Sequence, residues 1–434
     1  MPEFDDLHPA KNPHRPFLDE TKVLDWPLRS MRVSGALSGA GVSVHLVDTG
    51  LVTPSHPALR GRLPGAIRMG VDFSSSAGPD ANNDLLDHGL AMASVIVGST
   101  EGAPLRGVSP GATVTVHKVH NWPVLHTRES RRAAAAAIEE AITVGAKIVS
   151  ISMGWGWAGK ALRQAVARAD EAGVLVIAAA GQLSTDPHKT FPVSTLMAPG
   201  RLHTVVGVAA GDAQRRACTW SARGPEADVT APGDGVWGAR FFQGKVCTVI
   251  HQGQELPLLR SSGTSLATAC TAGVAALWIE HRTGLRLSAA PSLFRQALRA
   301  AHLDALTHTS QGAPLHEPSH WGAGWLDLPR LLAADPLQAP PSRPPTSDGV
   351  EELLALLLGG EDPADPALAR WRLRRHLREL SEDGLSDLLD DAEEELGAYA
   401  IDHPAGLRSL LEESPDALLP DAPPSLREAL LRSP

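Results

Sequence analysis

From residue 41 onward, short apolar runs alternate with stretches of helical periodicity. Residues 41–47 (Gly-Val-Ser-Val-His-Leu-Val) read as a strand that ends in the turn Asp48-Thr49-Gly50. Residues 111–119 alternate as a strand does, and residues 147–152 form another, stopped by Met153-Gly154. Residues 173–180 are wholly apolar after their glycine, as strands covered on both faces are, and residues 202–208 give the next strand. Between them, residues 130–144 are an Ala-rich amphipathic helix and residues 161–172 a second helix. This order predicts an α/β fold with a doubly wound, mainly parallel sheet and helices on both faces. In such sheets the carboxyl edge of the strands carries the chemistry.

Two further helices share an unusual design, a polar residue at the mouth of a thin apolar helix. One runs from Ser265 through Leu266-Ala267-Thr268-Ala269-Cys270 to Trp278, after the small turn Ser262-Gly263-Thr264. The other begins at His88-Gly89 and continues through Leu90-Ala91-Met92-Ala93 to Gly98. Taken singly, each polar residue reads as well as a cap as it does as a reactive group. A helix N-terminus does, however, offer unpaired N–H groups and partial positive charge beside such a side chain, which favours an oxyanion.

The rest of the chain divides by composition. Residues 1–28 are Pro-rich with little periodicity and read as an N-terminal arm, and residues 29–334 hold the alternating pattern. Residues 335–349, centred on Ala-Pro-Pro-Ser-Arg-Pro-Pro, are a linker. Residues 350–434 carry leucines at three- and four-residue spacing and predict a small all-α module. That module holds about 20 acidic and about 8 basic residues, so it accounts for the acidity of a chain whose net charge is −10. It is expected either to form one small bundle or to dock a protein partner. The acidic balance points away from nucleic acid, and no apolar stretch reaches membrane-spanning length. Three scattered cysteines, Cys218, Cys247 and Cys270, give neither a disulfide framework nor a zinc site. With no apolar leader in the first 20 residues, the expected location is the cytoplasm.

Asp48, His88 and Ser265 stand in the order Asp, His, Ser, which among hydrolase triads is that of subtilisin. The matching blocks extend further: Val47-Asp48-Thr49-Gly50, His88-Gly89, Leu105-Arg-Gly-Val-Ser-Pro110, Ser152-Met153-Gly154, Ala178-Ala-Ala-Gly181, Ala231-Pro232-Gly233 and Gly263-Thr264-Ser265-Leu266-Ala267. With these blocks, residues 29–334 resemble the subtilisin-like serine proteases. The resemblance implies that Ser265 attacks the scissile carbonyl, that His88 shuttles its proton and that Asp48 orients the imidazole. It also implies a substrate backbone paired along Ser152-Met153-Gly154. Asp84, in the family's acidic place, either faces the cleft or is a turn residue, and Trp155 and Trp157, which follow at once, either line the groove or pack the interior.

Several positions depart from the family pattern. The oxyanion donor that accompanies Ser265 is Gln182, where Asn is usual. Ala91 replaces the second His of the His-Gly-Thr-His motif, and Ala269-Cys270 replaces Pro-His after the nucleophile. The calcium-ligand position after His56-Pro57 is Ala58, so no metal or other cofactor is expected. A competing elbow, Gly107-Val-Ser109-Pro110-Gly111, is excluded because Pro110 lacks the N–H an oxyanion hole needs there. The expected activity is an intracellular endopeptidase controlled by a partner or by processing, with an inactive binding scaffold as the alternative. The arm around Pro13 to Leu18 is expected either to occlude the cleft or to be a disordered terminus.

Overall fold

The computed structural model describes residues 23–51, 56, 66–74, 87–98, 105–121, 128–155, 158–182, 196–242, 245–251 and 254–340. A seven-stranded sheet forms its centre. Its strands are β1 (Ser43–Asp48), β2 (Ile67–Asp72), β3 (Thr113–Lys118), β4 (Ile148–Ile151), β5 (Leu175–Ala179), β6 (Val206–Gly211) and β7 (Val229–Pro232). They lie in the order β2-β3-β1-β4-β5-β6-β7, and every neighbouring pair is parallel. The strand order reverses around β1, so the carboxyl ends of β1 and β4 flank a crevice where ligands can enter.

The apolar strands are continuous because both sheet faces are covered. Val44 and Leu46 of β1, Ile148 of β4 and Leu175 and Ile177 of β5 enter one core with helices α2 (His88–Val97) and α5 (Thr264–Gly284). Val47, Val149, Ile151, Val176 and Ala178 enter a second core with α3 (Arg128–Thr143) and α4 (Gly159–Glu171). Alternate residues of one strand thus serve opposite cores, as a period of two requires. Helix α5 is buried from Leu266 to Ile279, which explains its small side chains.

A short first helix, α1 (Trp26–Ser30), contributes Trp26 and Leu28 to the α2/α5 core. Arg32, next to α1, makes a bidentate ion pair with Asp327 at 2.5 and 2.6 Å. Asp327 also caps α7 (Leu328–Ala333) by accepting from the N–H of Arg330, so it ties the two ends of the folded region together. Helix α6 (Pro291–Ala300) precedes this closure, and its Phe294 packs edge-on against Trp278 of α5.

Three features differ from the sequence reading. Strand β6 starts at Val206 because residues 202–205 are turned, with Leu202 bonding Pro199 and Val205 bonding Leu202. Strand β2 gives little signal in the sequence. It is an edge strand with Arg68 and Met69 exposed, and its register shifts between Met69 and Asp72. Between β7 and Ser265, where the sequence reading assigned no element, the chain forms short antiparallel pairs. Strand β8 (Val236–Gly238) pairs with Leu259–Ser261, Phe241–Phe242 with Lys245–Val246, and Val249–His251 with Gln254–Leu256. The arm up to residue 22, the linker beyond Pro340 and the acidic module lie outside the described residues.

Candidate active site

Asp48 is the last residue of β1 and is fully buried. Its Oδ1 accepts from the N–H of Thr49 at 2.7 Å and meets His88 Nδ1 at 2.7 Å. A carboxylate oxygen only accepts, so Nδ1 carries the imidazole proton and Nε2 is left as a base. His88 is the first residue of α2 and is not acting as its cap. The helix start is pressed against the turn after β1. A Cβ on Gly89 would lie 2.0 Å from the carbonyl oxygen of Gly50, so only glycine lets His88 reach Asp48 from this helix. Asp87, just before it, takes a left-handed conformation (φ 54°), which costs a non-glycine residue about 1 kcal/mol.

Two residues that the sequence reading left without a role complete this support. The Thr49 hydroxyl accepts from the N–H of Gly89 at 3.3 Å and lies 3.3 Å from Asp48 Oδ1, joining strand end to helix start. Lys118, fully buried at the end of β3, donates to the Thr49 carbonyl at 3.1 Å and to Asn121 at 2.6 Å. The signal for Lys118 is a lone charge at the end of an alternating strand. Among the described residues, buried Asp48 Oδ2 has no hydrogen-bond partner.

Ser265 is the second residue of α5, and the N-cap is Gly263. Its hydroxyl therefore does not cap the helix. It donates to the carbonyl of Ser152 at 2.9 Å, while the Ser152 hydroxyl donates back to the Ser265 carbonyl at 3.2 Å. The Ser265 hydroxyl is not hydrogen-bonded to His88 in this arrangement. A rotation about one side-chain bond between staggered positions redirects it. As the second helical residue, Ser265 has a backbone N–H with no helical acceptor.

Gln182 follows β5 and Gly181. Its Oε1 accepts from the N–H of Thr264 at 3.2 Å. An N–H needs an acceptor, so the amide NH2 is the end turned away from Thr264 and left to donate. The extra methylene of Gln relative to Asn thus does not carry the amide out of reach of the α5 N-terminus. The backbone around it is fixed as well: Gln182 bridges Ser221, and Ala222 bonds the Gly181 carbonyl.

Other sequence expectations divide. Ser152, Met153 and Gly154 follow β4 at the sheet edge, beside Ser265. Trp155 is fully buried and its indole N–H donates to Ser130 at 2.9 Å, so it packs the α3 side and does not line the crevice. Ser109 is buried with its hydroxyl on the Ile96 carbonyl, in keeping with a turn residue. Cys270 is fully buried, which pushes its thiol pKa up to about 12 and leaves it a packing residue. Asp84, Ala58 and Trp157 lie outside the described residues. Among the described residues no group of three or more His, Cys, Asp or Glu could hold a metal ion, and no helix is long and apolar enough to cross a membrane.

Comparison with known proteins gives this geometry its family. Residues 39–324 match the model of the peptidase S8 (subtilase) family. Subtilisin DY of Bacillus licheniformis is 29% identical over 239 residues, which are 55% of this chain and 77% of that protein. A thermostable alkaline protease of Halalkalibacterium halodurans is 32% identical over 239 residues, 55% of this chain and 57% of that one. The structure of the self-cleaved protease domain of PatA is 25% identical with a TM-score of 0.51, covering 68% of this chain and 97% of that domain. The chain belongs to the subtilase family of serine endopeptidases.

Proposed function

We propose that this chain is an active, intracellular endopeptidase in which Asp48, His88 and Ser265 form the catalytic triad. The observation that carries the reading is the 2.7 Å contact between His88 Nδ1 and buried Asp48, which leaves Nε2 as the free base. In the proposed cycle the Ser265 Oγ–H proton passes to His88 Nε2 as Oγ bonds to the scissile carbonyl carbon, and the carbonyl electron pair moves onto oxygen. The backbone N–H of Ser265 and the Gln182 amide donate to that oxygen. Collapse breaks the C–N bond, and the departing amine takes the proton from His88. Water then enters by the same route, gives a proton to His88 and cleaves the acyl-enzyme. Substrate backbone lies along Ser152-Met153-Gly154.

Cys218, Cys247 and Cys270 are not joined in disulfides, which supports a reducing compartment. Control by a partner or a processing event belongs to the proposal through the arm and the acidic module, which flank the matched region. One observation favours the second reading, a binding scaffold without activity: the Ser265 hydroxyl rests on the Ser152 carbonyl instead of on His88.

A fluorophosphonate probe separates the two. The proposal expects a phosphonyl adduct mapped by mass spectrometry to Ser265 and absent from Ser265→Ala. A wild-type chain that stays unlabelled, with or without residues 1–20, identifies the scaffold.

A further inference from the structure

Ser265 and Gln182 meet at the carboxyl ends of two neighbouring strands, β4 and β5, which pair in register from Ile148 with Leu175 to Ile151 with Ala178. Ser152, just beyond β4, holds the Ser265 hydroxyl, and Gln182, just beyond β5, holds the α5 N-terminus. A peptide carbonyl set between Ser265 and the Gln182 amide therefore lies over the gap between these two strand ends. In the proposed binding mode the side chain of the residue that supplies this carbonyl, on the acyl side of the scissile bond, enters that gap.

The walls of the gap are glycines, Gly154 beyond β4 and Gly181 beyond β5. Without side chains, these walls would leave an open slot between them. Here the slot is already filled from within the chain. A Cβ built on Gly154 would lie 2.8 Å from Met197 Cβ and 3.0 Å from its sulfur. A Cβ built on Gly181 would lie 2.5 Å from Met197 Cγ and 2.6 Å from the sulfur. The Met197 thioether thus lies against both bare backbones at once, and neither wall has room for even a methyl group.

The backbone of Met197 is held where it stands. Its N–H donates to the Ala180 carbonyl at 2.7 Å, and Ala198 exchanges two 2.9 Å bonds with Trp155. Trp155 is itself fixed by its bond to Ser130. Met197 is 6% exposed, so nearly all of it is packed. A methionine side chain is flexible, yet here Gly154 and Gly181 box it in on two sides. Clearing the slot for a large residue would force it against close-packed neighbours, which costs what overpacking a core costs.

We propose that Met197 is a specificity-determining residue, a plug that restricts the acyl-side position of the substrate to Gly, Ala or Ser. The inference rests on the reading of Ser265 as nucleophile and adds to it a substrate class: peptides cleaved after small residues.

The test uses the full chain and two peptide p-nitroanilides, Ala-Ala-Pro-Ala and Ala-Ala-Pro-Phe, with kcat/KM measured for each. The wild type is expected to prefer the Ala substrate by at least about 10-fold. Met197→Ala and Met197→Gly empty the slot and are expected to move the Phe/Ala ratio by roughly 10–100-fold towards Phe. Met197→Leu, which keeps the slot filled, is expected to retain the wild-type preference. Labelling of Ser265 by the fluorophosphonate probe certifies that each variant is folded. A wild type that cleaves after Phe as fast as after Ala overturns the plug, whatever the variants do. So does a labelled Met197→Ala whose ratio is unchanged, or a shift that is equally large in Met197→Leu. In each of these cases the reading of Ser265 stands. Absence of labelling in the wild type removes that reading and the plug together.

Discussion

Strand β1 carries one member of each of two buried histidine pairs, and their partners set them apart. At its end, Asp48 meets His88 at 2.7 Å. Three residues earlier, on the opposite sheet face, His45 meets His117 of β3 at 2.8 Å. His117 Nδ1 accepts from the N–H of Val71 at 3.2 Å, so its proton sits on Nε2 and is donated to His45 Nδ1. The chain Val71 to His117 to His45 is satisfied only when both rings are neutral. Burial pulls their pKa values down, His45 to about 4 and His117, which also faces His45, to about 3. In the other pair the partner is a carboxylate, which accepts from Nδ1 and leaves Nε2 without a proton. Both pairs are buried and close, and the chemistry of the partner sets them apart.

The strongest way to break this contrast is to neutralise the partner. Asp48→Asn presents an amide to His88 and invites the wrong tautomer, so kcat/KM is expected to fall by about 10⁴ while the fold persists. Steady-state kinetics on a peptide substrate measure the loss, and a fall of less than about 10-fold would mean that Asp48 does not set the state of His88.

Next in size is the oxyanion donor. Gln182→Ala is expected to lower kcat by about 10²–10³ with little change in KM, the loss that follows removal of one such donor in subtilisin. Gln182→Asn tests the tether as well. Its shorter stem gives up the bond to Thr264 unless the backbone follows, so an activity equal to wild type would show that the tether is dispensable.

The histidine pair on the other face gives a smaller effect, on stability alone. Unfolded histidines titrate near 6.5, whereas His45 and His117 in the folded chain stay neutral until about pH 4 and 3. Between these limits the unfolded chain binds more protons, so stability falls as pH drops below about 6.5 and levels off below the folded values. For His45 the shift corresponds to roughly 3 kcal/mol by pH 4. His45→Gln keeps an acceptor for His117 without titrating. Thermal melts from pH 7 to pH 4.5 are expected to show a shallower fall in Tm for that variant, and an identical slope would clear the pair of any part in acid lability.

The gentlest perturbation concerns control. Removing residues 1–20 is expected to raise peptidase activity several-fold if the arm covers the crevice, and unchanged turnover would leave the arm without that role.

How much of this was legible in the sequence follows from the physics of each residue. Asp48, His88 and Ser265 stand at a strand end and two helix starts, where turn glycines and small residues leave short local signatures. Strands β1, β4 and β5 were legible because burial on both faces leaves them largely apolar, and β3 because its residues alternate. Strand β2 was not, since an edge strand with Arg68 and Met69 outward has no such run. Gln182 could be named from its place after Gly181, but its bond to Thr264 depends on how two distant segments meet. The same holds for Met197, for Lys118 beneath Thr49 and for the His45–His117 pair, whose partners come from separate elements. Ser265 turned towards Ser152 was beyond sequence patterning, because side-chain rotation leaves no trace in residue spacing.

A crystal structure of the chain with a peptide aldehyde ending in alanine tests the central claim most directly. The account predicts a bond from Ser265 Oγ to the aldehyde carbon and a hydroxyl turned from the Ser152 carbonyl towards His88. It also predicts the resulting oxygen at about 2.7–3.1 Å from the Gln182 amide nitrogen and the Ser265 N–H. An aldehyde that occupies the crevice while Ser265 still donates to Ser152 would contradict it.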